Sequence, residues 1–149
     1  MSASRTFTPE VGSVQKGVVH LYGFHTTTTS GTLSTTATAF TPAKQAGYTL
    51  TKTASETGRY TVQLTKTDGT AATYNQLLDV SAIIEGAADT AYTAAKGLVP
   101  MLRGVAVATT GIFYLQFVND LTTTGTFADA EVEDGAIIRL HIVLKNSGV

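Results

Sequence analysis

The side chains in this sequence best suited to chemistry are three histidines, a short acidic run and six tyrosines. His20 and His25 lie in or beside an apolar stretch near the start, and His141 lies far downstream. A zinc site needs three or four converging nitrogen, sulfur or oxygen ligands. With no cysteine and no histidine-rich spacing, the sequence predicts no metal and no cofactor. The histidines read instead as polar or interface residues. The acidic residues gather at Asp129, Glu131, Glu133 and Asp134, with Asp120 nearby. In an extended segment Asp129, Glu131 and Glu133 would project together, because side chains alternate between faces. Calcium would use such oxygens, but the spacing is not that of an EF-hand and a calcium shell draws on several segments. A solvated loop is the simpler expectation.

The same residues argue against catalysis. Paired carboxylates that cleave glycosides stand at a fixed separation across a cleft, which one local run does not supply. The nucleophile elbow, the phosphate-binding loop and the paired-histidine zinc helix are all missing. The chain is therefore expected not to be an enzyme and to act through its surfaces. Tyr22, Tyr48, Tyr60, Tyr74, Tyr92 and Tyr114 could include a sugar-stacking platform, but there is no tryptophan to anchor one. Tyr48 and Tyr60 also fall on apolar faces, which points to core packing.

Those faces belong to strands. In Gly58–Thr67, Tyr60, Val62 and Leu64 alternate with Arg59, Thr61, Gln63 and Thr65, the period of a half-buried strand. Asp68-Gly69 follows as a tight turn. Tyr48–Lys52 repeats the pattern with Tyr48 and Leu50 inward. Gly111–Val118 is apolar on both sides and reads as a central strand. In Gly135–Lys145, Ile138, Leu140, Ile142 and Leu144 form an apolar face, while Ile137, Arg139, His141 and Val143 form a mixed one. That mixed face predicts partial cover by a loop or a partner. Val14–Phe24, Leu33–Phe40, Leu77–Ile84 and Arg103–Thr109 complete about eight strands. Gly86–Lys96 is a helix or an irregular crossover, and Pro100 marks a bend or an edge. The expected fold is all-β: a single-domain antiparallel β-sandwich, jelly-roll-like or immunoglobulin-like, over residues 14–149, preceded by an extended arm at residues 1–13.

Composition sets the outer limits. Of 149 residues only 14% are charged, and the net charge is −1. Basic residues are scattered singly, without the patch a nucleic-acid binder shows, so no nucleic acid is expected. No stretch approaches the roughly 18 apolar residues of a membrane span, and residues 1–10 have no signal-like apolar core. No membrane is expected, and synthesis in a cytoplasm is. Threonine makes up roughly a fifth of the chain, supplying β-branched residues with an uncharged polar surface.

Three segments, Gly58-Arg-Tyr-Thr-Val-Gln-Leu64, Gly86–Gly97 and Gly135–Ser147, resemble small virion structural proteins of tailed bacteriophages. The resemblance spans residues 58 to 147. It implies a capsid decoration (cement) protein on the virion surface, made in the host cytoplasm, that binds the assembled shell and stabilises it. The alternative it implies is a tail, neck or head-fibre component with a carbohydrate- or host-surface-binding face. The implied partners are the major capsid protein and copies of the chain itself; a trimer would suit a local threefold. The residues expected at such contacts are Phe7 in the arm, Tyr22, and Ile137, Arg139, His141 and Val143.

Overall fold

A computed structural model of the chain describes residues 17–28, 31–32, 47–86, 98–121 and 126–145. They form eight strands: β1 (Val18–Thr26), β2 (Tyr48–Lys52), β3 (Arg59–Leu64), β4 (Gln76–Glu85), β5 (Leu98–Ala106), β6 (Ile112–Leu121), β7 (Thr126–Asp129) and β8 (Ile137–Lys145). Every pairing is antiparallel. One sheet has the order β1-β8-β4. The other has the order β2-β3-β6-β5, with β7 on β6 beyond the end of β3. The fold is an all-β sandwich of two antiparallel sheets.

The alternation seen in the sequence becomes the core. Ile138, Leu140, Ile142 and Leu144 from β8 face Tyr60, Val62 and Leu64 of β3 and Phe113, Leu115 and Phe117 of β6, and all are buried. The Tyr60 ring meets Phe117 edge-on, with centroids 5.7 Å apart, the geometry that aromatic quadrupoles favour. Its hydroxyl donates to the Gly31 carbonyl at 2.6 Å, so a buried polar atom is satisfied. Burial, reinforced by the nearby Glu131 carboxylate, pushes the Tyr60 phenol up from its ordinary pKa.

β4 contributes to this core through a bulge. Its register on β8 shifts between Leu77 and Asp79, leaving Leu78 as the extra residue. Leu77 stands opposite Leu144 and Val80 opposite Ile142, so residues three apart both face inward. Regular alternation would place them on opposite faces.

Several expectations are corrected. β5 runs over Leu98–Ala106, not Arg103–Thr109, and residues 107–110 form a turn. Pro100, expected at a bend or an edge, does occupy an edge: it lies inside β5, which among the described residues pairs only with β6, so a missing N–H is tolerated. His25 belongs to β1 and does not lie beyond it. Asp68-Gly69 turns the chain between Thr65 and Ala71 without joining two strands into a hairpin, since β3 and β4 belong to different sheets. β7, four residues at the head of the acidic run, was not expected as a strand. The expected arm at residues 1–13 lies outside the described residues, as do the Leu33–Phe40 strand and all but the first residue of Gly86–Lys96.

Two isoleucines test this division between inside and outside. Ile142 is fully buried on β8, whereas Ile83 on β4 is 62% exposed. Ile142→Ala is expected to lower stability by about 2–5 kcal/mol and Ile83→Ala by less than about 0.5 kcal/mol. Urea denaturation midpoints at constant slope would show this, and equal losses would contradict the assignment.

Candidate functional site

Because β8 sends alternate residues inward, Ile137, Arg139, His141 and Val143 point to the outer face of the β1-β8-β4 sheet. The register aligns this column with both neighbours. Val143 lies between His20 and Asp79, and His141 between Tyr22 and Ser81. Arg139 lies between Phe24 and Ile83, and Ile137 between Thr26 and Glu85. The sheet thus brings five of the six sequence-predicted contact residues onto one surface. The sixth, Phe7, lies outside the described residues.

Local contacts fix the shape of this face. The Tyr22 ring stacks on His141, with centroids 4.3 Å apart and planes 3° from parallel. His20 also stacks with His141, at 5.3 Å and 15°. His20 Nδ1 lies 3.1 Å from His141 Nε2. One of these nitrogens must donate and the other accept, so the contact requires an unprotonated nitrogen in the pair. His20 and His141 are diagonal neighbours across the ladder, within the reach expected of rings. Two residues along, the Arg139 guanidinium sits 4.9 Å above the Phe24 ring and donates to the Glu85 carboxylate. Both charges of that pair are about half exposed. Such a pair contributes at most about 1 kcal/mol to stability; its effect is to hold Arg139 flat across the sheet.

Ser81 stands directly opposite His141, yet among the described residues no hydrogen bond joins them, and His141 Nε2 is engaged by His20. Activation of a serine requires that bond. Also among the described residues, no three His, Asp or Glu side chains gather as a metal site would require. The acidic run does not present its carboxylates together. β7 ends at Asp129, and Glu131 turns to Lys52, whose Nζ donates to both carboxylate oxygens at 2.6 and 2.7 Å.

The sequence reading missed Phe24, Ile83 and Glu85 on this face. Phe24 is 36% exposed and Tyr22 56%. The alternation in β1 carries that signal, but only once β1 is paired with β8.

The third histidine has a different role. His25 and Tyr48 both point inward, from opposite sheets. His25 Nε2 and the Tyr48 hydroxyl are 2.8 Å apart, so the pair pins β1 to β2. The Tyr48 hydroxyl also lies within 1.9 Å of where a Cβ on Gly23 would stand, so residue 23 must lack a side chain. Burial pushes the Tyr48 phenol up from its ordinary pKa. Burial likewise lowers the His25 imidazole from 6.5 to about 4.

Comparison of the chain with protein-family models, with curated proteins and with solved structures finds no match.

The His25 pin predicts an acid sensitivity with a definite sign. Between pH 6.5 and about 4 the unfolded chain binds a proton at His25 that the folded chain does not. This contribution is complete above pH 6.5 and is lost as pH falls toward 4, up to about 3 kcal/mol. Urea midpoints across that window should fall more steeply for the wild type than for His25→Gln; parallel curves would contradict the assignment. Gly23→Ala is expected to lower stability by about 1–3 kcal/mol, because Tyr48 must give way.

Proposed function

We propose that this chain is a structural protein of a tailed-bacteriophage particle, a capsid decoration or cement protein that binds the assembled shell. The observation that carries this reading is the outer face of the β1-β8-β4 sheet. Tyrosine, phenylalanine and arginine, the residues that dominate protein contacts, are arrayed there on paired backbone. Ring stacking and the Arg139–Glu85 pair hold these side chains in place before any partner arrives. Side chains already ordered lose little freedom on binding.

The mechanism is linkage. A protein that binds the closed shell, but not its separated subunits, shifts the equilibrium toward the shell, and many modest contacts add together. The partners are the major capsid protein and further copies of this chain, and the place of action is the virion surface. The low net charge suits contact with a neutral protein surface better than with a phosphate backbone. A second reading rests on the exposed Tyr22 ring, flat against His141. That ring could receive a sugar, as in a fibre, tail or neck component that touches the host surface.

Copy number in purified particles separates these readings. The decoration role predicts a simple ratio to the major shell protein, and a handful of copies per particle would move the chain to the tail or a fibre. Tyr22→Ala combined with Arg139→Gln is expected to lower particle occupancy at least about tenfold while the melting temperature falls by only about a few degrees. Undiminished occupancy would remove the face from the contact, and absence of the wild-type chain from particles would defeat the virion reading.

A further inference from the structure

The two long sides of the sandwich differ. On the β1–β2 side the gap is closed by the His25–Tyr48 pair and by Leu21 against Gly47. On the other side β4 and β5, the edge strands of different sheets among the described residues, leave an open cleft of about 250 Å³ where apolar side chains alternate with exposed polar edge. Leu77, Leu78 and Val80 line one wall, Met101 and Leu102 the other, and Leu115 lies between them. The cleft falls below the roughly 300–1,000 Å³ of small-molecule pockets. Leu78, Met101 and Leu102 on its walls are each more than two-fifths exposed.

We propose that this seam is a self-association surface, occupied by the same seam of a second copy of the chain. Charge supplies the argument. Asp79 lies on the outer face of β4, opposite Val143, and Arg103 on the outer face of β5, opposite Tyr114. Neither has a hydrogen-bond or ion-pair partner among the described residues. The two charges therefore flank the cleft on opposite sides, one negative and one positive. A two-fold axis parallel to the strands sets β4 of each copy against β5 of the other. Each Asp79 then meets the other copy's Arg103, and the two clefts close together. Because both edges face the same side, this arrangement consumes the whole surface and stops at two.

The backbone of β5 favours packing across the seam over extension of either sheet. Pro100 has no N–H to give to an added strand, and the register on β6 shifts between Arg103 and Ala106, where Gly104 adopts a positive φ. Prolines and bulges on an edge discourage ladder extension. The copies therefore meet through side chains. Apart from its β4 edge at Asp79, the outer face of the β1-β8-β4 sheet remains free for another partner. This inference does not depend on the virion reading.

Sedimentation equilibrium of the purified full chain tests it. The wild type should reach twice 15.6 kDa as concentration rises. Asp79→Arg or Arg103→Asp alone places like charges together at two symmetric contacts and should weaken association at least about tenfold. The combined reversal, Asp79→Arg with Arg103→Asp, should restore it, because each contact regains opposite charges. Unchanged melting curves would show that the variants fold. A monomer at all concentrations, a limiting mass of three chains, or failure of the combined reversal to restore association would each overturn the proposal. So would association that is lost on Tyr22→Ala and untouched by the single reversals.

Discussion

Every hydrogen-bonded pairing in the smaller sheet passes through β8. Among the described residues β1 and β4 pair with no strand except β8, so its register fixes both neighbours at once. Its alternation assigns four residues to the core and five to the outer face. A slip of one position would exchange the two sets, bringing Arg139 and His141 against Phe113 and Phe117. The desolvation of a guanidinium in that core is enough to forbid the slip. The outer face is therefore the reverse side of the same pattern that makes the core, and it inherits the rigidity of the core.

The asymmetry between the long sides follows from side-chain size at a few positions. At the β1–β2 side Gly23 leaves room for the Tyr48 hydroxyl, and Gly47 leaves room for Leu21, so the sheets close on each other. At the β4–β5 side the Leu78 bulge adds a residue to one edge, and the register shift before Ala106 adds one to the other. Neither edge carries an aromatic long enough to cross the gap. Polar pinning on one side and irregular edges on the other together set where further apolar contact can still be made.

Much of this architecture was legible in the sequence because alternation and burial coincide in β2, β3, β6 and β8. Tyr48, Leu50, Tyr60, Val62 and Leu64 lie inside as their spacing requires. β5 was displaced in the reading because it is exposed on both faces, so Val99-Pro-Met-Leu-Arg103 shows no period to detect. β7 is four residues long and borders a threonine tract, too short for any period. The mixed face of β8 is visible in the sequence as a column, and Tyr22 is expected at a contact, but only the pairing of β1 with β8 sets it beside His141. Phe24, Ile83 and the His20–His141 contact required knowledge of which strands flank β8, information held in the pairing and not in any one segment. The His25–Tyr48 pin likewise joins residues of different sheets whose proximity no local spacing announces.

The register of β1 on β8 also governs how this body bears load. Val18 lies directly opposite Lys145, so the start of β1 and the end of β8 stand side by side, about 5 Å apart. Tension applied at Val18 and Lys145 would open the β1–β8 ladder one hydrogen bond at a time, as a zipper. Tension between Lys145 and a point on the larger sheet would instead meet packed side chains between the sheets. The fold is thus mechanically soft along one direction and stiff along the other, and the direction of pull decides which strength a partner feels.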